Sequence, residues 1–439
     1  MPRLAVVLGA GFSRAAAGLP TTDELGNELR GRIEGLADRV PQLFTDGNFE
    51  TWMSGVAEPQ PYLSDEQNAD NAALFVAATQ ALHDILVERE AQALAAPPKP
   101  WLLSLMRVLH ATRADVITFN YDTLVERAAL SAGLFDAEVG SYANMESILD
   151  ALPPPLTASY AMLAPTPMSS FRLMKLHGSL DTYWVRGDAT GSTIGRLRGE
   201  RNWDGAYPSN FERTKHAPGR QPFLVPPAAA KSAFYDNPIT RQLWRNASEA
   251  LSRADRVAVV GYSLPLTDLV TAGMLREALA GRRVTVDVVN PDAAEVKERL
   301  HALGVDGDLP VHTGAECVAN YSAFLANRLG LEVLGALEQV DPNLKVSVAS
   351  RRGIHPVIRA EATPDGVCLN ADWGSVIADL SGANYMAAAV TVGKIMSAVE
   401  RSPGTAGPNI LMRGVSTAAI SVRLEVCNWA TLTPEAYVP

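Results

Sequence analysis

Apolar positions along this chain fall into short unbroken runs rather than alternating ones, and each run ends abruptly on glycine or on polar residues. Four share the form: Leu4–Ser13 (LAVVLGAGFS), Val116–Asp122 (VITFNYD), Phe171–Asp181 (FRLMKLHGSLD) and Val257–Pro265 (VAVVGYSLP). A fifth, Val284–Pro291 (VTVDVVNP), follows the same plan. Runs this apolar predict central strands of a parallel sheet covered on both faces. Between them the period becomes helical. Helices are predicted over Thr22–Leu36, Ala72–Leu94, Asp122–Ala132, Ile239–Leu251, Asp268–Ala280, Ala293–Leu303 and Ala315–Leu329, with Val311–His312 as a last short strand. Thr21 and Glu24 have the spacing of a capping box, and Pro97-Pro98-Lys99-Pro100 ends the second helix.

This order of strands and helices predicts an α/β fold, a doubly wound (Rossmann-like) parallel sheet over about residues 1–330. The Gly9–Pro20 stretch reads as a loop after the first strand. Ala72–Leu94 lies before the second strand and places a helical insertion at about residues 37–112. Pro153–Pro167 is loop-like, and Tyr183–Pro227, rich in Gly, Pro, Arg and Trp, is expected to be an irregular surface flap. After Gly330 the texture changes. Lys345–Ala349, Val357–Ala362, Val367–Ala371 and Ile420–Val426 read as short strands and Ala383–Val399 as a helix. Residues 331–439 are therefore expected to form a small C-terminal α+β domain, suited to oligomerisation or partner contact.

Composition narrows the function. With 439 residues the chain has room for two or three domains. A net charge of −10 argues against direct nucleic-acid binding, which needs clustered Lys and Arg. Cys317, Cys368 and Cys427 form no CxxC pair and no zinc-ligand spacing, as expected of reduced thiols in a cytoplasmic protein. Arg3, Leu4–Phe12 and Ala15–Ala17 mimic a signal peptide, but Gly9 and Gly11 break the apolar run. No run approaches the roughly 18 apolar residues of a membrane span.

In parallel sheets the carboxyl ends of the strands line the ligand crevice, so the polar residues that end these runs are the candidates for chemistry. Gly9, Ala10, Gly11 and Ser13 could cradle a phosphate on backbone N–H groups, or simply make a tight turn. Asn120 and Asp122 could hold a ribose hydroxyl or a water; the alternative is that they cap the next helix. His177 has the chemistry of a general base, although a lone His beside apolar residues is also a packing residue. Gly261, Ser263 and Asn290 suit the adenosine half of a dinucleotide, or ordinary strand-to-helix turns. The chain has no G-x-S-x-G elbow, P-loop or HExxH.

Taken in order, GAGFS, GLP at Gly18–Pro20, TFNYD, KLHGS, VVGYS and VVNP resemble the sirtuin-like NAD-binding family over about residues 1–330. The resemblance implies NAD+ as ligand, with the pyrophosphate on Gly9, Ala10, Gly11 and Ser13. It implies Asn120 and Asp122 near the nicotinamide ribose, His177 as base beside it, and Gly261, Ser263 and Asn290 toward the adenosine. Two departures matter. Protein-deacylating sirtuins carry a zinc module of paired cysteines between the HG and GxS motifs, and no Cys lies between His177 and Gly261. Where they have Asp-Phe-Arg, this chain has Thr21-Thr22-Asp23. The chain therefore resembles the zinc-less sirtuin-like NAD+ hydrolases of bacterial anti-phage defence. That likeness implies nicotinamide and ADP-ribose as products, and control by homo-oligomerisation or by an Argonaute-like or ATPase-like partner. A non-catalytic NAD-sensing subunit and an NAD-dependent protein deacylase are the rival readings.

Overall fold

The computed structural model describes residues 3–45, 48–132, 145, 146, 148, 149, 170–197, 219–228, 232–325 and 328, and six strands between residues 346 and 427. In chain order the strands before residue 330 are β1 (Leu4–Leu8), β2 (Asp115–Thr118), β3 (Met145–Glu146), β4 (Arg172–Lys175) and β5 (Gly178–Trp184). They continue with β6 (Gly195–Leu197), β7 (Gln221–Leu224), β8 (Arg256–Val260), β9 (Thr285–Val289) and β10 (Val311–His312).

The five apolar runs, with β10, build one six-stranded parallel sheet in the order β10-β9-β8-β1-β2-β4. The absence of alternation has a direct cause. Leu4, Val6 and Leu8 face one layer, packing with Leu102, Met106 and Leu109 of the Pro100–Thr112 helix and with Leu124 and Ala128. Ala5 and Val7 face the other, packing with Leu243, Ala247 and Leu251 of the Pro238–Arg253 helix and with Leu275 and Leu279. Each fully buried Val or Leu contributes about 1.5–3 kcal/mol, so both faces of β1 are apolar throughout.

Register aligns the strand ends. Leu8 lies opposite both Thr118 and Val260; Thr118 pairs with Lys175, Val260 with Val289, and Val289 with His312. The chain leaves β1 toward β2 and β4, then returns to β8 on the opposite side. The strand order thus reverses between β1 and β8, where the loops diverge and ligand crevices form.

Three expectations change. Residues Ala10–Ala17 form a helix directly after β1 rather than a loop, closed by Gly18 in the left-handed region (φ 71°) with its N–H on the Arg14 carbonyl. Glycines at both ends masked the Ala-rich helical stretch between them. Tyr183–Pro227 is not a surface flap in its described part. β5, β6 and β7 join β3 in a four-stranded sheet, and Tyr183 and Trp184 are buried. Trp184 packs on Phe223 (5.0 Å) and Phe234 (5.8 Å), so the aromatic content signals a core. The first helix ends at Arg32, although the Thr21–Glu24 capping box forms as its spacing implies.

Within residues 37–112 lie helices Asn48–Ala57, Asp65–Ala93 and Pro100–Thr112. Leu25, Leu29, Phe49, Met53, Leu82 and Ile85 share a core with Leu180 and Leu224, so this helical layer rests on the small sheet. The last helix instead covers the parallel sheet. Beyond residue 330, β11 (Val346–Ala349), β12 (Ile358–Thr363), β13 (Gly366–Ala371), β14 (Gly374–Asp379), β15 (Asn409–Arg413) and β16 (Arg423–Cys427) form an antiparallel sheet in the order β11-β14-β13-β12-β16-β15. Strands β14 and β15 were not anticipated. The helix expected over Ala383–Val399 and the loop over Pro153–Pro167 lie outside the described residues.

Candidate active site

At the reversal point two backbones touch. Gly9 N–H donates to the Val260 carbonyl (3.1 Å) and Gly11 N–H to the Gly261 carbonyl (2.8 Å). A Cβ on Gly9 would lie 2.5 Å from Tyr262 Cα, and one on Gly261 would lie 2.2 Å from the Phe12 nitrogen. Gly261 also holds φ 62°, a region L side chains avoid. These glycines are required by backbone-to-backbone packing, and the Gly9 and Gly11 amides are engaged there.

From this contact a chain of hydrogen bonds crosses to the end of β2. Asn120 Nδ2 donates to the Gly9 carbonyl and to Ser13 Oγ, both at 2.8 Å, and the Ser13 hydroxyl donates to Asp122 Oδ2 at 2.6 Å. Asp122 Oδ1 accepts from the Leu124 N–H at 3.2 Å, an Asx turn that leads into the helix through its N-cap Thr123. Asp122 therefore positions Ser13 and leads into the Leu124–Ser131 helix, while Ser13 is a buried bridge. Asn120 differs. Its amide nitrogen is doubly anchored, and Oδ1 accepts no hydrogen bond among the described residues, which leaves a fixed acceptor at the strand end.

Beneath these residues sits a buried ionic layer. Lys175, the last residue of β4, donates to the Asp122 carbonyl and to Glu126 Oε1 (3.0 Å). Burial alone would lower the ammonium pKa, but Glu126, Asp181 and Asp122 together raise it, so Lys175 stays charged. Glu90 of the long Asp65–Ala93 helix accepts from Thr123 N–H and Oγ1, tying the helical layer to the same turn.

His177 occupies the two-residue turn by which the chain passes from the parallel sheet into β5. Gly178 makes the reversal at φ 83°; a Cβ there would lie 1.9 Å from the Phe223 carbonyl oxygen. The His177 carbonyl accepts from Val225 N–H (2.9 Å), which fixes the turn from the other side. Its buried imidazole lies 5.0 Å from the Phe119 ring and 6.2 Å from Trp244, and Phe119 continues to Tyr262 at 4.8 Å. Phe119 immediately precedes Asn120, so this aromatic row joins the ends of β2, β4 and β8.

Across β8 and β9 the candidates have other occupations. Ser263 is exposed, and its carbonyl accepts from Arg299 (2.7 Å). Asn290 Oδ1 accepts from Asp292 N–H (3.0 Å), closing its own turn. The structure thus brings Gly9, Ala10, Gly11, Ser13, Asn120, Asp122 and Gly261 together, sets His177 on the neighbouring strand end, leaves Asn290 closing its own turn, and ties the Ser263 main chain to Arg299 of the Ala293–Ala302 helix.

Several residues at this edge carry no role assigned from the sequence, although Tyr262 and Tyr121 lie within its motifs. Tyr262 donates to Asp268 Oδ2 (2.7 Å), and Tyr121 to the Val225 carbonyl (2.6 Å). Burial, then the Asp268 carboxylate, pushes the Tyr262 phenol well up; burial, then Glu50, does the same to Tyr121. Glu50 belongs to the helical layer and Trp244 to the Pro238–Arg253 helix, and no strand-end pattern marks either. Among the described residues no group of three or more His, Cys, Asp or Glu side chains could hold a metal ion, and no helix is long and apolar enough to cross a membrane.

No protein-family model matches the chain, and no curated protein matches it. Among solved structures, one from work on the mechanism and regulation of Sir2 enzymes overlays with a TM-score of 0.33 at 15% identity, covering 75% of this chain and 94% of that one. Overlap of that order assigns neither substrate nor reaction.

Proposed function

We propose that the chain is an NAD+ glycohydrolase that releases nicotinamide and ADP-ribose, and that it serves as a regulated NAD-depleting effector in bacterial anti-phage defence. The observation that carries this reading is the pairing of Asn120, with an anchored amide and an open Oδ1, with His177 on the adjacent strand end beside an aromatic row. The motif order supports the choice of dinucleotide. The absence of cysteine between His177 and Gly261 supports water rather than a peptide as acceptor.

In this reading Asn120 Oδ1 accepts from a nicotinamide-ribose hydroxyl or from the attacking water. The bond between ribose C1′ and the pyridinium nitrogen breaks, and its electron pair leaves with neutral nicotinamide through an oxocarbenium-like transition state. Water adds at C1′, and His177 takes its proton, a role worth about 10²–10⁴-fold in rate. Ser13 and Asp122 hold Asn120 in place without touching substrate. With the Gly9 and Gly11 amides engaged, pyrophosphate contacts fall to the remaining groups of the first turn, Ala10 foremost.

Such an enzyme must be silent at rest. We assign the control to self-assembly or to an Argonaute-like or ATPase-like partner in the cytoplasm, with residues 331–439 as the contact. The test is chromatographic measurement of nicotinamide and ADP-ribose from NAD+, across protein concentrations and with candidate partners. Product formation by the wild type that Asn120→Ala and His177→Ala both lose supports the proposal. Binding of NAD+ without turnover under every condition supports the sensing subunit instead. Nicotinamide release only in the presence of an acylated peptide supports the deacylase.

A further inference from the structure

Just outside the row of strand ends, two buried hydrogen-bond donors stand together without acceptors. Tyr235 Oη and Trp244 Nε1 are each buried and each lacks a hydrogen-bond partner among the described residues. Their rings meet edge to face, 5.2 Å apart at 69°. Trp244 in turn lies 6.2 Å from His177 and 6.3 Å from Phe119. Leaving a buried donor unsatisfied costs about 1–3 kcal/mol, so in the ligand-free protein phenylalanine would serve position 235 at least as well as tyrosine. Two such groups side by side, against the catalytic candidate His177, call for an acceptor from outside the chain.

The chemistry of the acceptor follows from the donors. An indole N–H only donates. Burial first, then Asp268, Tyr121 and Glu50, pushes the Tyr235 phenol up, so it keeps its proton and donates as well. Two unpartnered donors on adjoining rings match the lone pairs of a carbonyl oxygen. The faces of Phe119, His177 and Trp244 favour a flat ring. The nearby carboxylates of Asp268 and Glu50 disfavour an anion.

We propose that Tyr235 and Trp244 form a binding subsite for the carbonyl oxygen of a neutral, flat ring carboxamide held against the Phe119–His177 aromatic row. The identity of the natural ligand rests on the function proposed above, in which that group is the leaving nicotinamide of NAD+. The subsite would then select the amide over the corresponding acid at the base end of the dinucleotide.

The test is calorimetric titration of the full-length protein with nicotinamide, nicotinate and pyridine, and separately with ADP-ribose. Nicotinamide should bind at least tenfold more tightly than pyridine, which lacks the carbonyl, and than nicotinate, which carries a charge. Tyr235→Phe and Trp244→Phe should each weaken nicotinamide about tenfold and leave pyridine unchanged. Because the Tyr235 hydroxyl is a cost in the ligand-free protein, Tyr235→Phe should melt no lower than the wild type. That variant alone decides the matter if Trp244→Phe loses its folding transition. Nicotinamide binding no tighter than pyridine, or unchanged in Tyr235→Phe, overturns the subsite. The ADP-ribose arm is independent: if ADP-ribose fails to bind while nicotinamide binding depends on Tyr235, the dinucleotide reading falls and the subsite stands.

Discussion

On either side of β1 the sheet edge was built from runs of the same form, yet the two sides put their polar residues to different uses. Toward β2 and β4, side chains reach across loops: Asn120 to Gly9 and Ser13, Ser13 to Asp122, Lys175 to the Asp122 carbonyl. Toward β8 and β9, Asn290 closes its own turn on the Asp292 N–H, and Arg299 of the Ala293–Ala302 helix holds the main-chain carbonyl of Ser263 rather than its side chain. A polar residue at a strand end becomes site chemistry only where a neighbouring loop anchors one of its atoms and leaves another open. On the β2–β4 side the helical layer supplies part of that anchoring through Glu90. On the other side the anchor from a neighbouring helix, Arg299, reaches main-chain carbonyls only.

The largest effect that would break this contrast is catalytic. Asn120→Ala and His177→Ala should each lower the rate of nicotinamide release by about 10²–10⁴-fold while the far-UV circular dichroism stays unchanged. A stability effect of similar size belongs to the opposite side. Asp287, fully buried on β9, pairs with Arg256 and accepts from Tyr321 Oη (2.7 Å). Asp287→Asn leaves the guanidinium with a neutral partner, and urea unfolding should show a loss of about 3–5 kcal/mol.

The β2–β4 side should also set the acid limit of the fold. His110, buried on the Pro100–Thr112 helix with Nδ1 2.6 Å from Ser170 Oγ, is pushed down to about 3 by burial and by the Arg113 charge. The unfolded chain binds a proton near pH 6.5 that the folded one refuses until about pH 3, so more protons are bound in the unfolded state across that window. Stability should therefore be complete above pH 6.5 and fall by a few kcal/mol as pH drops toward 3. In His110→Gln this part of the slope should vanish, as denaturant midpoints measured at several pH values would show. The smallest effects are expected at the local turns. Asn290→Ala should cost about 1 kcal/mol in thermal unfolding, and Ser263→Ala should leave both stability and turnover within about twofold of wild type.

Much of this was legible in the sequence. Unbroken runs such as Leu4–Leu8 and Val257–Val260 could only be strands covered on both faces, and their abrupt ends located the edge that carries Asn120 and His177. Three features were hidden for physical reasons. The Ala10–Ala17 helix is flanked by Gly9 and Gly18, whose roles in close packing and in a left-handed cap look like loop signals. The β5–β7 sheet lacks aliphatic runs and is held by Trp184, Phe223 and their neighbours. Glu50, Tyr235 and Trp244 reach the edge from helices and turns that only tertiary packing brings there, and no spacing rule in the chain connects them to the strand ends.

The contrast between the two sides is tested most directly by one measurement: nicotinamide release from NAD+ by Asn120→Ala, His177→Ala, Ser263→Ala and Asn290→Ala, assayed together under conditions where the wild type turns over. The account predicts that the first two fall by at least a hundredfold while the last two stay within tenfold of wild type. Equal losses in all four, or retained turnover in Asn120→Ala and His177→Ala, would contradict it.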